Sequence, residues 1–263
     1  MTDGGAGDEV LFEVVDGHIA VITLNRPEVR NAVNGAVATG LDAAVKRVEG
    51  DPEIRVAILA SSQNKVFCAG ADLAEIAAGR GHLLGTKDGG FAGFVEHPKA
   101  KPWITAVEGA ALAGGCEIVL ACDMVSASET AKFGLPEVKR GLYAGAAGVY
   151  RLPRRLPRNI AVELVVTGEG LDATRAHALG LVNRLTAPGG ALAAALDLAR
   201  SIAANAPLSV RESLAIARLC HDLTEDELRP LSRAATARVF SSEDAKEGPR
   251  AFLEKRAPVW KGA

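Results

Sequence analysis

The chain has 263 residues, of which 48% are hydrophobic and 24% are charged, and its formal net charge is −2. This composition is that of an ordinary globular protein, and the small net charge excludes a general attraction to nucleic acid or to anionic membranes. The chain contains no run of about 18 uncharged apolar residues, so we expect no membrane span.

The N-terminal part predicts a flexible end followed by a hairpin. Residues 1–9 are acidic and glycine-rich, which favours a frayed terminus over a signal peptide, and we expect a cytoplasmic protein. Residues 10–15 and 18–24 alternate apolar and polar side chains around Asp16-Gly17, which predicts a β-hairpin. A helix with one apolar face should follow, formed by Val37, Leu41, Ala44, Val45 and Val48.

Two later strands each lead into a glycine-containing turn that opens a helix. The strand at residues 54–60 precedes Cys68-Ala-Gly-Ala-Asp72, and the strand at residues 102–107 precedes Ala113-Gly-Gly-Cys-Glu117. The first N–H groups of a helix have no partner within it, so turns of this kind supply free donors. We expect the N–H groups of Ala71 and Gly114 to be such donors.

Two glutamates accompany these turns. Glu117 lies in an apolar helical segment, and Glu137 follows in Phe133-Gly-Leu-Pro-Glu137. A lone glutamate on such a helix is more often a solvent-facing residue. Two donor turns together with two carboxylates, however, are the parts needed to polarise a carbonyl and to move protons beside it.

The segment from Gly79 to Gly93 contains six glycines and predicts either a flexible surface loop or a mobile pocket wall. Its Phe91, the following Phe94, and Trp103 and Tyr143 are candidate walls of a pocket for a short or branched, possibly polar, group.

Other sequence patterns argue against metal, thiol and nucleotide chemistry. The four cysteines lack metal or disulfide spacing, and small apolar filler is the expected role of Cys68 and Cys116. The five histidines form no metal motif, so we expect no metal site. The turn at residues 141–148 lacks a nucleotide-binding signature. A basic cluster follows, namely Arg151, Arg154, Arg155 and Arg158, and a solvated face is favoured over an RNA or phosphate contact.

The C-terminal part is predicted to be helical. Asp172 should cap one helix, and the segments 209–212 and 224–227 have capping-box patterns. We divide the chain into a flexible end (1–9), a core that carries the site (10–188) and a helical oligomerisation region (189–263).

Four segments, taken in order along the chain, together resemble the crotonase (enoyl-CoA hydratase) superfamily. Asn25-Arg-Pro-Glu-Val-Arg-Asn-Ala is similar to the family segment after the second strand, the two donor turns to its oxyanion-hole loops, and Phe133-Gly-Leu-Pro-Glu137 to the segment of its second acid. The resemblance runs from about Val10 to the C-terminus. It implies the α/β crotonase (ClpP-like) fold, a spiral of ββα units, with C-terminal helices that form a trimer, which can pair into a hexamer.

The resemblance also implies a function and a set of site residues. It implies an enoyl-CoA hydratase, a hydro-lyase of fatty acid metabolism that needs no cofactor beyond the CoA of its substrate. Glu117 and Glu137 would be catalytic, and Ala71 and Gly114 would form the oxyanion hole. The substrate- and CoA-binding residues would be Glu28, Val29, Arg30, Ala69, Asp72, Leu73, Tyr143, Gly145, Phe252 and Lys255.

Two alternatives stay open from the sequence. The segment 87–93 and the ending from Glu254 to Gly262 look like those of carnitinyl-CoA dehydratases (crotonobetainyl-CoA hydratases). A crotonase fold that binds RNA through the four arginines is the other possibility, although the two carboxylates argue against it. One local departure from the family pattern is Ala144-Gly-Ala-Ala-Gly148 in place of Pro-Gly-x-Gly-Gly.

Overall fold

The protein's structure is a computed structural model that describes residues 9–262. The strands in this range are β1 (Val10–Val15), β2 (Ile19–Leu24), β3 (Val56–Ser61), β4 (Val66–Cys68), β5 (Gly85–Thr86), β6 (Gly90–Phe91), β7 (Trp103–Val107), β8 (Ala110–Leu112), β9 (Met124–Ser128), β10 (Lys132–Gly134), β11 (Gly170–Asp172) and β12 (Arg184–Thr186). The proposed flexible end at residues 1–9 lies almost entirely outside the described range.

Ten α-helices lie in the same described range. They are α1 (Gly35–Gly50), α2 (Leu73–Ala77), α3 (Gly114–Leu120), α4 (Gly148–Arg155), α5 (Arg158–Thr167), α6 (Ala173–Ala178), α7 (Ala191–Ala203), α8 (Pro207–Leu219), α9 (Glu225–Ser241) and α10 (Glu243–Glu254). None of the helices in the described part of the chain is long and apolar enough to cross a bilayer. The fold is mixed α/β, as the sequence predicts.

The strands form two main sheets. The larger has the order β1-β2-β3-β7-β9-β12, and all its pairs are parallel except the β1–β2 hairpin. That hairpin turns at Asp16 and Gly17, whose φ angles are 52° and 76°, so the predicted turn is confirmed. The smaller sheet has the order β11-β10-β8-β4, with β4, β8 and β10 parallel. A two-stranded hairpin, β5–β6, stands apart.

The larger sheet is covered on both faces. One face packs against α7 through Ala195, Ala199 and Ala203, which lie on one side of that helix. The other face packs against α1 and the smaller sheet. Because α7 covers the central sheet, it belongs to the same core as the strands. The packing therefore has no break at residue 189, and the division into a core and an oligomerisation region stays a prediction.

The predicted helix caps agree with the structure in two cases out of three. The Asp172 side chain accepts from the N–H of Arg175 at the start of α6, and Thr224 with Glu227 forms a capping box at the start of α9. The predicted box at residues 209–212 is wrong, because α8 begins earlier, at Pro207, and Ser209 lies inside its first turn. Proline at the first position of a helix starts α8 without a side-chain cap.

Candidate active site

Two neighbouring parallel strands bring the predicted donor turns together. Strands β4 and β8 pair in the smaller sheet, with Cys68 beside Ala111. Because the two strands are parallel, the segments that follow them leave the sheet at the same edge. A Cβ on Gly70, whose φ is +92°, would lie 2.9 Å from both the Ala113 Cβ and the Gly114 nitrogen. Only glycine permits this approach, so Gly70 sets the spacing of the two turns.

Among the described residues, the two predicted donor N–H groups take no part in the hydrogen bonds of the fold. Within residues 9–262, the N–H groups of Ala71 and Gly114 donate to no other group, although their neighbours Asp72 and Cys116 donate to Val33 and Ala113. Ala113 reaches its sharp turn with a φ of 53°, which costs a non-glycine residue on the order of 1 kcal/mol. The strained turn leaves the Gly114 N–H free for a ligand.

The segment from Asn25 to Ala32 braces the first donor turn. The buried Asn31 side chain donates to the Phe67 carbonyl over 2.9 Å, and the Asn31 carbonyl accepts from the Cys68 thiol. The Arg26 guanidinium donates to the Ala32 carbonyl over 2.6 Å and to the Asp72 carboxylate over 3.1 Å. These contacts fix the turn that carries Ala71, and Asp72 also caps α2.

Glu117 is a buried carboxyl one turn into α3. The side chain is 3% exposed, and its Oε1 accepts from the Gly148 N–H over 2.9 Å. Burial raises its pKa to about 7, and the negative charge of Glu137 acts in the same direction. The N–H groups of Gly148 and Ala146 oppose that rise. The group therefore exchanges its proton near neutral pH, as a general base or acid must.

Glu137 lies in the first turn of a 3₁₀-helix, Pro136–Arg140, which follows β10. Burial also raises the pKa of this carboxyl. Its Oε2 is buried without a hydrogen-bond partner among the described residues. An unsatisfied buried oxygen costs free energy, so this atom is a binding point for a group that can donate or for a proton.

Gly148 is a site residue that the sequence reasoning missed. A Cβ on Gly148 would lie 2.9 Å from the Glu117 Oε1 and 2.9 Å from Leu135. Glycine is therefore needed where α4 begins. The sequence signal for this residue lay in the segment 144–148, which departs from the family pattern. There, Ala147 adopts the left-handed conformation, with a φ of 80°, at a position where the common family pattern has glycine.

One cavity of about 1100 Å³ contains most of the predicted site. Its walls include both glutamates and both proposed donors, together with predicted binding residues, namely Glu28, Val29, Arg30, Ala69, Asp72, Leu73, Tyr143 and Gly145. Phe252 and Lys255 do not line it. They lie at the end of α10, where Phe252 is 83% exposed.

The prediction that Phe94 and Trp103 line the cavity is wrong. Phe94 and Trp103 are fully buried and pack edge to face, with ring centroids 5.1 Å apart. The Trp103 indole N–H also donates to the Glu49 carboxylate. Both rings belong to the core, because the strand position of Trp103 directs it between sheet and helix. Phe91 and Tyr143 do line the cavity.

The cysteines near the site are buried thiols. Burial raises the pKa of Cys68 and of Cys116 to about 12, so neither is a thiolate at neutral pH. Their expected role as small apolar filler agrees with this environment. In the described part of the chain, no three His, Cys, Asp or Glu side chains are grouped to hold a metal ion.

Three of the four arginines of the basic cluster make contacts within the protein. Arg151 donates to the Val95 carbonyl, and Arg155 donates to the carbonyls of Asp123 and Cys122. Arg154 pairs with Asp222. Guanidinium groups committed to such contacts are not presented together to a phosphate backbone, which weakens the RNA interpretation.

Comparison with protein families finds one matching family model, described as enoyl-CoA hydratase/isomerase, over residues 15–263. Among similar curated proteins, a carnitinyl-CoA dehydratase of Salmonella typhi is 39% identical and is matched over 97% of this chain and 99% of its own length. An enoyl-CoA hydratase of Mycobacterium tuberculosis is 40% identical, and 92% of each chain is covered.

Solved structures give the same picture. An enoyl-CoA hydratase from Mycobacterium tuberculosis H37Rv superposes with a TM-score of 0.93 at 47% identity, and it covers 97% of this chain and 100% of its own. A carnitinyl-CoA hydratase from Mycobacterium avium has a TM-score of 0.78 at 46% identity, with coverage of 97% and 99%. The fold of this chain is therefore that of these enzymes.

Proposed function

The chain belongs to the enoyl-CoA hydratase/isomerase family, and we propose that it adds water reversibly to a 2-enoyl-CoA thioester with Glu117 and Glu137 as its proton carriers. It is a hydro-lyase that acts on acyl-CoA substrates in fatty acid metabolism. The observation that carries the proposed mechanism is a buried and a half-buried carboxyl, both of raised pKa, in one cavity with two free backbone donors.

The proposed oxyanion hole consists of the N–H groups of Ala71 and Gly114. The thioester oxygen would accept from both donors and would gain negative charge when the β-carbon is attacked. Both donors are fixed before substrate arrives, so they stabilise this charge without reorganisation. Removal of one such donor typically costs about 3 kcal/mol of transition-state stabilisation.

The proposed proton transfers use one glutamate each. The ionised Glu117 takes a proton from water, and the water oxygen bonds to the β-carbon. The electron pair of the C=C double bond shifts to the bond between the α-carbon and the thioester carbon, and the carbonyl electron pair moves to the oxygen to give the enolate. Protonated Glu137 then gives its proton to the α-carbon as the enolate collapses. Glu117 then loses its new proton to solvent and Glu137 takes one from solvent, so both groups return to their starting states. Water is consumed and the protons balance, and the reaction requires no cofactor beyond the CoA of the substrate.

We propose that the CoA part lies along the wall formed by Glu28, Val29, Arg30, Ala69, Asp72 and Leu73, which continues from the oxyanion site. Tyr143 and Gly145 would contact the acyl side of the thioester. Phe252 and Lys255 are outside this cavity, so they would reach the CoA bound by a neighbouring copy.

A homotrimer, or a hexamer of two trimers, accounts for the surface of the C-terminal helices. Phe240, Phe252 and Leu253 are 77%, 83% and 80% exposed, which is unusual for such side chains unless a partner covers them. Light scattering should give the mass of three or of six chains of 27.2 kDa. A single 27.2 kDa species at micromolar concentration contradicts the assembly. A cytoplasmic location remains part of the proposal.

A panel of enoyl-CoA thioesters tests the proposed function. Loss of the conjugated thioester absorbance with crotonyl-CoA, and its return from 3-hydroxybutyryl-CoA, is the expected result. Crotonobetainyl-CoA belongs in the panel because several similar proteins are named carnitinyl-CoA dehydratase. We expect short or branched acyl groups to be turned over better than a twelve-carbon chain. An enzyme that hydrates none of these thioesters contradicts the proposal.

A further inference from the structure

We propose that Phe91 determines which acyl groups the enzyme accepts, by filling the space beside the substrate's α-carbon, and that a contact to a helix outside the cavity holds it there. That contact joins Thr86 of the β5–β6 hairpin to Asp42 of helix α1. The inference rests on the proposed function, because it takes the donors at Ala71 and Gly114 as the site of the thioester oxygen.

The Phe91 ring lies directly against one of the proposed oxyanion donors. A Cβ built on Gly114 would be 2.5 Å from both Cε1 and Cζ of Phe91, so the ring already touches the Gly114 Cα. A thioester oxygen that accepts from the Gly114 N–H must lie about 3 Å from that nitrogen. The α-carbon is only two bonds from this oxygen. A substituent on the α-carbon therefore competes with the ring for space.

The hairpin that carries Phe91 is packed tightly against helix α1. Gly85 pairs with Phe91 and Thr86 with Gly90. Directly after the hairpin, a Cβ on Gly93 would lie 2.1 Å from the Ala38 carbonyl oxygen, so the backbone touches the helix. Close packing against backbone atoms therefore explains Gly85, Gly89 and Gly93, in a segment for which the sequence alone predicted either a flexible surface loop or a mobile pocket wall.

Helix α1 holds the hairpin from the side that faces away from the cavity. The Thr86 hydroxyl donates to the Asp42 Oδ1 over 2.9 Å and accepts from the Gly89 N–H over 3.0 Å. Lys46 lies 2.7 Å from Asp42 and 3.1 Å from Asp88 in the hairpin turn. Thr86 lines the cavity but Asp42 does not, so Asp42 acts on the acyl site only through the hairpin.

A rigid ring at this position has a clear consequence for selectivity. Interiors are close-packed, and forcing one additional methyl group against a fixed side chain is unfavourable. The enzyme should therefore prefer thioesters that are unbranched at the α-carbon. Branches further along the acyl chain lie away from Phe91 and are not subject to this restriction.

The test is a selectivity ratio measured in two ways. One is kcat/KM for 2-methylcrotonyl-CoA divided by that for crotonyl-CoA, and the other is the affinity for isobutyryl-CoA relative to butyryl-CoA. Phe91→Ala should raise both ratios at least tenfold, and Phe91→Leu should raise them less. A ratio that changes less than twofold in folded Phe91→Ala overturns the inference. Binding ratios remain informative if no thioester is hydrated, so failure of the proposed function is seen separately.

A second pair of variants tests the supporting contact. Thr86→Val keeps the shape of the side chain but removes both hydroxyl hydrogen bonds, and Asp42→Ala removes the same contact from outside the cavity, so both variants should raise the ratios in the same direction as Phe91→Ala. Thr39→Val on α1 is the matched control, because its hydroxyl bonds only to Gly35 of the same helix. Equal ratios in Thr86→Val and Thr39→Val overturn the positioning role of the Asp42–Thr86 contact. Phe91→Leu and Thr86→Val keep the test decisive if Phe91→Ala does not fold.

Discussion

The backbone N–H of Gly148 donates to the Oε1 of Glu117 over 2.9 Å, across 31 positions of the chain. The contact joins the N-terminal residue of α4 to the proposed catalytic base in α3. It fixes the Oε1 of Glu117 in the cavity. The same contact limits how far burial raises the pKa of the carboxyl.

Gly148→Ala should displace Glu117, because the new Cβ would stand within 3.0 Å of its Oε1 and its Cγ. We expect kcat to fall at least tenfold while the protein still folds. Gly50→Ala is the control, since a Cβ at Gly50 meets nothing within 4 Å. The measurement is steady-state hydration of crotonyl-CoA with circular dichroism of both variants. Equal rates for the two would contradict the role given to Gly148.

Glu117→Gln and Glu137→Gln should each lower kcat a hundredfold or more, because each removes one proton-transfer partner. The measurement is steady-state hydration of crotonyl-CoA. Turnover near the native level in either variant would remove that residue from the mechanism.

For the native enzyme, kcat/KM should fall as the pH drops through about 7, because Glu117 must be ionised to accept a proton and its pKa is raised to about 7. A pH–rate profile measured between pH 5 and 9 checks this.

Glu117→Gln should also change how stability depends on pH. Between about pH 4.5, the ordinary value, and pH 7, the folded protein keeps a proton on Glu117 that the unfolded chain has lost. The free energy of unfolding therefore falls as the pH rises through this window, by about 3 kcal/mol in total. Glutamine carries no charge and still accepts from Gly148.

Urea unfolding of the native protein and Glu117→Gln at pH 4.5 and pH 8, at one protein concentration, measures this effect. The free energy of unfolding of the variant minus that of the native protein should be larger at pH 8 than at pH 4.5. A difference that does not change with pH would show that Glu117 has an ordinary pKa in the folded state.

Ala71→Pro should remove one oxyanion donor, because proline has no N–H. In the structure Ala71 lies one residue before Asp72, the N-cap of α2, so it precedes the helix. Its N–H supports no hydrogen bond within residues 9–262, and the fold should tolerate its loss. We expect a rate loss of about a hundredfold. Full activity in a folded variant would place the oxyanion hole elsewhere.

Much of the site was predictable because its parts are short and continuous in sequence. The donor turns at Ala71 and Gly114 are strand-to-helix junctions, which glycine and small residues mark locally. Glu117 drew attention as a charged residue in an apolar helix. The predicted hairpin at Asp16-Gly17 depended on two residues that favour positive φ, and the structure has that turn.

What the sequence by itself determined is the set of chemical groups and the class of fold, since local periodicity and turn residues depend on neighbours along the chain. Only the tertiary structure decided which groups meet. The pairing of β4 with β8 brings Ala71 and Gly114 to one edge, and α4 places the Gly148 N–H on Glu117. Burial, which raises the pKa of Glu117, and the packing that sends Trp103 into the core but Phe91 onto Gly114, are produced by contacts between distant segments. Such contacts leave no local pattern, because each depends on the shape of the whole core.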